Sequence, residues 1–288
     1  MSHRLLVESI EKDFVPALVY NNKKQDAEKL KQFEEPAWNN PVIRFFDSDW
    51  NDLIVRQENV WDIGPVTDRM IAALKKANSR NPKYVVPKHL ELTALQYSKN
   101  TEHASFAMHC YWEGEIQFGA VDGVKQTQSA WYDGKEIVNV TFDPTIVSYA
   151  SIVETALKVR CATTVYTRSA SQVIVAMKLA RDQAEPIAEK EFGRPAKRSD
   201  QKYYLRNSAL RLLPLTAVQE TRVNSALGRR EKPNPYLTVT QYEMLKAIQT
   251  KLPNNRDLAE RLATAKAKMD FNSYFDFAKK NLISSDSK

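Results

Sequence analysis

Two cysteines carry the clearest chemistry in this sequence. Cys110 lies in Ala107-Met108-His109-Cys110-Tyr111-Trp112-Glu113-Gly114-Glu115, where a strand-like run passes into a helix-like one. A helix N-terminus carries positive partial charge and free N–H groups, so a thiol placed there is shifted toward the thiolate. Tyr111 and Trp112 follow at once, and their rings can wall a small apolar pocket that suits a thioether sulfur. On this local pattern alone, a buried inert thiol is the competing reading of Cys110. Cys161 is the only other thiol. Two cysteines cannot make a disulfide framework for a chain of this length, which leaves thiol redox chemistry or two structural thiols. His109 either steadies a Cys110 thiolate as an imidazolium or is an ordinary solvated side chain. The four histidines lack metal-ligand spacing, so no metal is expected.

The elements that must position these residues read as a mixed chain. His103 to Met108 predicts a strand running into Cys110, and Tyr111 to Ala120 a helix. Val124 to Tyr132 and Glu136 to Phe142 predict two strands joined through Asp133-Gly134, a strong two-residue hairpin signal. Ile152, Ala156 and Val159 sit at helical spacing within Ser148 to Val159, and Ser151-Ile152-Val153-Glu154 offers a capping box if that helix starts one turn late. Thr163 to Thr167 predicts a last strand. The order β-α-β-β-α-β is that of a split βαβ plait, so the fold class expected is α+β.

Upstream, Phe14 to Tyr20 and Pro41 to Asp47 are β-type apolar runs, and Asp26 to Phe33 is helical in character. Val66, Met70, Ala73 and Leu74 form a helical stripe in Asp62 to Ala77. This order resembles the second half of a thioredoxin fold, with Pro41 where that family has its cis-proline and without its Cys-x-x-Cys helix. Asn78 to Pro87 is a linker candidate. Downstream, proline-punctuated helices run to the end, Val239 to Leu252 being strongly amphipathic, and Ser284 to Lys288 reads as frayed. The expected organisation is a partial thioredoxin-like segment and linker over 1–87, a catalytic domain over 88–206 and a helical extension over 207–288.

Several stretches in register resemble the peptide methionine sulfoxide reductases of the A type. Their Gly-Cys-Phe-Trp-Gly-x-Glu matches His109-Cys110-Tyr111-Trp112-Glu113-Gly114-Glu115. Their Pro-Gly-Val and the Thr before Gly-Tyr match Asp122-Gly123-Val124 and Thr127 before Ala130-Trp131. Their His-Ala-Glu and Tyr-Asp-Pro match Gly134-Lys135-Glu136 and Phe142-Asp143-Pro144, and their Ile-Ser-Tyr matches Val147-Ser148-Tyr149. Their Gly-Thr-Gln-Tyr-Arg-Ser matches Thr163 to Ser169, and their Gln-Lys-Tyr-Leu tail matches Gln201-Lys202-Tyr203-Tyr204-Leu205. Departures exist. His109 and Glu113 replace two glycines, the loop before Glu136 is shorter, and Arg160-Cys161 stands where the family has Asn-Asp. The pairing with a thioredoxin-like half also resembles a group of bacterial thioredoxin-like proteins and selenoproteins.

The resemblance implies an oxidoreductase in which Cys110 attacks the sulfur of methionine S-sulfoxide, free or peptide-bound. Glu136 protonates the leaving oxygen and Tyr166 hydrogen-bonds it, while Tyr111 and Trp112 hold the methyl group, with Trp131 or Tyr132 in place of an absent family tyrosine. Ordinary structural roles compete for each: an exposed strand carboxylate for Glu136, a half-buried aromatic for Tyr166. Cys161 is either the resolving thiol, with thioredoxin or another dithiol as electron donor and no bound cofactor, or a buried helix-end residue. Two further readings stand beside this one: a thiol-disulfide or peroxide-handling oxidoreductase on the same Cys110, and a silent plait used as an interaction module.

The bulk properties narrow the setting. Net charge is +7, with basic residues dispersed and densest over Arg194 to Arg206. No helix-turn-helix or RNA-binding aromatic signature accompanies them, so a solvated basic surface is expected rather than a nucleic-acid site. No apolar run approaches the roughly 18 residues of a membrane span. A soluble, cytoplasmic protein without a membrane partner is therefore expected.

Overall fold

The computed structural model describes residues 3–35, 42–83 and 85–283. The chain divides into two compact units, one reaching to Tyr97 and the other starting at Ser98.

The first unit is built from helices α1 (Arg4–Asp13), α2 (Ala27–Gln32), α3 (Ile63–Arg80) and α4 (Lys88–Tyr97), with a short ladder of β1 (Val42–Ile43) and β2 (Gln57–Glu58). The helical stripe on α3 is buried as its spacing requires: Val66, Met70, Ala73 and Leu74 join Leu6, Phe45, Val60 and Leu90 in one core. Three expectations fail here. Phe14 to Tyr20 forms no strand, and Val15 is 97% and Leu18 73% exposed. Its apolar residues find no partner strand, and β-propensity without burial does not make a sheet. Among the described residues of the first unit, strand pairing is limited to the β1–β2 ladder and an isolated Phe46–Asp52 bridge, so a half-thioredoxin sheet is not assembled. Helix α4, assigned from sequence to the catalytic domain, packs on α3 instead. Pro41 and Ser284 to Lys288 lie outside the described residues.

The second unit is α+β. Its strands are β3 (Glu102–Met108), β4 (Val124–Tyr132), β5 (Lys135–Phe142), β6 (Ala162–Thr167), β7 (Ala184–Pro186) and β8 (Arg194–Pro195), arranged β7-β6-β3-β5-β4-β8. Strands β3 and β4 run parallel with antiparallel β5 between them, and α5 (Tyr111–Ala120) connects them; α6 (Tyr149–Val159) then leads to β6. This is the split βαβ order read from the sequence. The Asp133-Gly134 turn takes positive φ at both positions, 48° and 71°, the geometry a two-residue hairpin demands. Helix α6 starts a turn earlier than a Ser151 cap would allow, because the Ser148 hydroxyl accepts the Ser151 N–H.

Alternation along the strands gives the sheet two distinct faces. On one, Phe106, Met108, Val138, Val140, Phe142 and Val165 pack against α5 and α6, with Phe106 stacked on Phe118 at 4.8 Å. The other buries Ala107, Ala130, Ile137, Tyr166 and Ile187.

Helix α7 (Ala170–Leu179) follows β6, and α8 (Tyr203–Arg206), α9 (Ala217–Gly228), α10 (Val239–Lys251), α11 (Arg256–Lys268) and α12 (Phe271–Leu282) complete the chain. These helices are no appendage, as a separate 207–288 extension would be. Helix α9 lies directly on α5: Ser225 Oγ donates to the Ile116 carbonyl and Arg222 to the Gly119 carbonyl. A Cβ on Gly119 would come within 2.9 Å of Ser225 Cβ, so the close approach depends on the bare glycine. The caps of α9 and α10 interlock, since Gln219 and Gln241 each close a capping box and donate an amide N–H to the other. No helix among the described residues is long and apolar enough to cross a membrane.

Candidate active site

The site grows out of the β3-to-α5 junction. Cys110 is the N-cap of α5, extended at φ −146° and ψ 111°, and both cysteines are unpaired and partly exposed. Helix α5 must leave four N–H groups without helical partners. The first, on Tyr111, donates to Glu136 Oε2 at 2.8 Å. Glu136 reaches it because its β5 position pairs with Met108, the residue that ends β3. The carboxylate therefore sits against the amide that follows the candidate nucleophile.

Cys161 comes to the same place from the start of β6. Its carbonyl accepts the His109 N–H at 2.9 Å, and its Sγ lies 3.7 Å from the Cys110 carbonyl oxygen as a weak donor. Cys110, Glu136 and Cys161 thus converge on one strand end. His109 is exposed, on the solvent side of the bend.

Tyr111 and Trp112 open α5 but are held from a direction that sequence reasoning missed. Tyr111 is buried; its hydroxyl donates to Asp200 Oδ2 at 3.3 Å, and its ring meets the edge of Trp131 at 5.9 Å. Burial, then the Asp200 and Glu136 carboxylates, push the Tyr111 phenol up to about 12. The Trp112 indole N–H donates to the Asp200 carbonyl at 3.0 Å, and its ring stacks on Tyr203 at 4.3 Å. Residues 200–203 are themselves anchored. The Gln201 side chain bonds both the N–H and the carbonyl of Ser129 on β4, and Lys202 binds buried Glu115 through its main-chain N–H and its ammonium, each at 2.9 Å. The same ammonium bonds the carbonyl and hydroxyl of Thr127. Glu115 and Lys202 both lie in stretches singled out from the sequence, but nothing in one dimension shows that they meet.

Two predicted site residues fall elsewhere. Tyr166 pairs with Ser105, whereas Glu136 pairs with Met108; one is an odd and the other an even step along β3, so they occupy opposite faces of the sheet. Tyr166 is 1% exposed, packed edge-on against Tyr132 at 5.4 Å in the second core, and Tyr132 shares that face. Burial, helped by Glu185, pushes the Tyr166 phenol up to about 12. Trp131 remains with the site: it is the cross-strand partner of Glu136 and touches Tyr111.

Arg168, in the matched Thr163 to Ser169 stretch, also serves the second face. Its guanidinium bonds Ser105 Oγ and the carbonyls of Ala188, Glu189 and Glu191 and lies over Phe192, pinning the loop that covers that side. Among the described residues no group of three or more His, Cys, Asp and Glu is placed to hold a metal ion. The chemistry assembled at the β3–α5 junction is a thiol at a helix N-terminus, a carboxyl group on the amide that follows it, a second thiol 3.7 Å from the first cysteine's carbonyl oxygen and an aromatic wall. In comparison with known proteins, the chain matches no family model and no curated protein.

Proposed function

We propose that the second unit is a thiol-dependent reductase of methionine S-sulfoxide built on an A-type reductase plait. The observation that carries this is the 2.8 Å contact between Glu136 Oε2 and the Tyr111 N–H, which holds a carboxyl group on the first amide of the helix that Cys110 caps. The Cys110 thiolate attacks the sulfoxide sulfur while Glu136 delivers a proton to the oxygen, and the S–O bond passes from methionine to cysteine. Methionine leaves as the thioether and Cys110 is left as a sulfenic acid. The Cys161 thiol then attacks that sulfur, water departs, and a Cys110–Cys161 disulfide remains for thioredoxin or another external dithiol to reduce. The sum is one sulfoxide and one dithiol converted to one thioether, one disulfide and one water. Tyr111 and Trp112, steadied by Asp200, wall the methyl group. Tyr166 has no part in this version of the step, since it lies on the other face.

The assay uses free and peptide-bound methionine S-sulfoxide with dithiothreitol as reductant. Turnover that Cys110→Ser abolishes is expected; no turnover, or full turnover by that variant, overturns the proposal.

One observation favours a second reading. With Tyr166 removed from the site and Cys161 Sγ against the Cys110 backbone, the junction also suits a plain thiol-disulfide oxidoreductase. Rapid reduction of a small disulfide without any reduction of methionine sulfoxide selects that alternative.

A further inference from the structure

The first unit holds a cavity of about 220 Å³, on residues that have no part in the thiol chemistry. Gln57, Asn59, Val60, Trp61, Asp62 and Pro65 line it. The local chain path builds its shape. Gln57 belongs to β2, and Asn59 follows in a left-handed conformation at φ 57°, which Asn tolerates better than most residues. Val60 is then buried at 4% exposure, while Trp61 is 63% exposed. Asp62 is the N-cap residue of α3, yet its side chain makes no cap bond. Small-molecule sites are lined by apolar surface with a few polar groups that fix orientation, and this cavity combines an indole and a proline ring with two amides and a carboxylate.

The polar groups are supported from behind. Arg69 on α3 donates to Gln57 Oε1 at 3.0 Å and to the Val55 carbonyl at 2.7 Å. The Gln57 oxygen is thereby engaged, and its amide N–H groups remain as donors; Asp62 offers acceptors, and Asn59 offers both. The volume lies below the roughly 300–1,000 Å³ of sites for drug-sized ligands, so a single ring is the size that fits. Charge narrows the class. The Asp62 carboxylate disfavours an anion. The Arg69 guanidinium, whose hydrogen bonds go to neutral acceptors, and the positive end of α3 disfavour a cation. A neutral ligand remains. Donors and acceptors set this close together match neighbouring hydroxyls, each of which both donates and accepts, and an indole face suits the C–H face of a saturated ring.

We infer that the first unit binds a neutral sugar ring in this cavity, with the ring's C–H face on Trp61 and its hydroxyls on Gln57, Asn59 and Asp62. The inference is independent of the reductase reading of Cys110.

The test is ligand-observed saturation-transfer NMR on the full-length protein, with the methyl glycosides of glucose, galactose, mannose and N-acetylglucosamine. So small a ligand binds weakly, with Kd on the order of 1 mM. At least one glycoside is expected to bind, with transfer strongest to the C–H protons of one ring face. Trp61→Ala is expected to weaken binding about tenfold and Trp61→Phe to keep most of it, as a stacking contact requires; Gln57→Ala is expected to weaken it as well. Both side chains are exposed, so an unchanged thermal unfolding midpoint is expected for all three variants. No binding by any glycoside up to about 50 mM, far above that Kd, overturns the site, and so does binding that Trp61→Ala leaves unchanged. Choline, inorganic phosphate and adenosine serve as cationic, anionic and planar probes. Binding of any of them through Trp61 more tightly than every glycoside overturns the assignment to a sugar.

Discussion

Lys202 and Glu115 stand 87 positions apart, yet Lys202 gives its main-chain N–H to one carboxylate oxygen of Glu115 and its ammonium to the other. Glu115 is fully buried on α5, so this pair ties the segment carrying Asp200 and Tyr203 to the helix that begins at Cys110. Removing one member of a buried ion pair leaves the other without its counter-charge, at a cost of about 3–5 kcal/mol. Lys202→Met is therefore expected to lower the stability of the second unit by that amount. Adding Glu115→Gln to Lys202→Met is expected to recover part of the loss. Denaturant unfolding of the two single variants and the double variant measures the coupling; additive losses would show that the pair does not act as a unit.

Glu136 caps the first N–H of α5, and in the proposed reduction it also moves a proton to the sulfoxide oxygen. Glu136→Gln separates them, because the amide oxygen can still accept the Tyr111 N–H but cannot act as the acid. The expected result is a fall in kcat of about 10²- to 10⁴-fold, with KM changed much less. Steady-state kinetics on the peptide sulfoxide measure it, and an undiminished kcat removes Glu136 from the chemistry.

The backbone beside Trp131 sets a third expectation. Gly193 has φ +68°, and a Cβ there would lie 2.5 Å from the Trp131 carbonyl oxygen, a backbone atom that cannot swing aside. Gly193→Ala is expected to cost about 2–4 kcal/mol, strain and overpacking together. Gly134 also has positive φ, at +71°, but a Cβ there meets nothing within 4 Å. Gly134→Ala is expected to cost only about 1–2 kcal/mol. Thermal unfolding of the two variants should rank them in that order.

The first unit carries a pH dependence of its own. Burial lowers His3 to about 4, and burial also lowers His89, whose Nε2 lies 3.2 Å from Ser9 Oγ. A folded value below the unfolded one means that the unfolded chain takes up protons first. The stabilisation is fully present above about pH 6.5 and is lost as pH falls toward 4, by up to about 3 kcal/mol for His3. Hydrogen-exchange protection of α1 and α4 should weaken over that window and should weaken less in His3→Phe. Constant protection from pH 7 to 4 would contradict it.

How much of this was legible in the sequence follows from the range of the interactions involved. The β3-α5-β4-β5-α6-β6 order was readable because each element is set locally, by alternation, helical spacing and the Asp133-Gly134 turn. Cys110 at the helix start was readable for the same reason, whereas Glu136 was singled out only by a resemblance to the reductases, and its contact with the α5 N-terminus comes from strand pairing with Met108. Tyr166 was misplaced because its face depends on strand register: it pairs with Ser105, three residues from the Met108 that pairs with Glu136, which puts the two on opposite faces. Phe14 to Tyr20 has strand composition but nothing to pair with. Asp200 escaped notice, and Tyr203 was singled out only within the matched Gln201 to Leu205 tail, because their contacts with α5 rest on the Glu115–Lys202 and Ser129–Gln201 bonds, which no short-range pattern encodes. The α9-on-α5 contact was hidden likewise, since it depends on what Gly119 lacks.

The most direct measurement is a single turnover of the Cys161→Ala variant with excess methionine S-sulfoxide peptide and no reductant, followed by mass spectrometry with a sulfenic-acid trap. One methionine per protein is expected, with the trap on Cys110 and no further turnover on adding thioredoxin. No methionine formed, or a trap found elsewhere than Cys110, would contradict the assignment of Cys110 as the nucleophile.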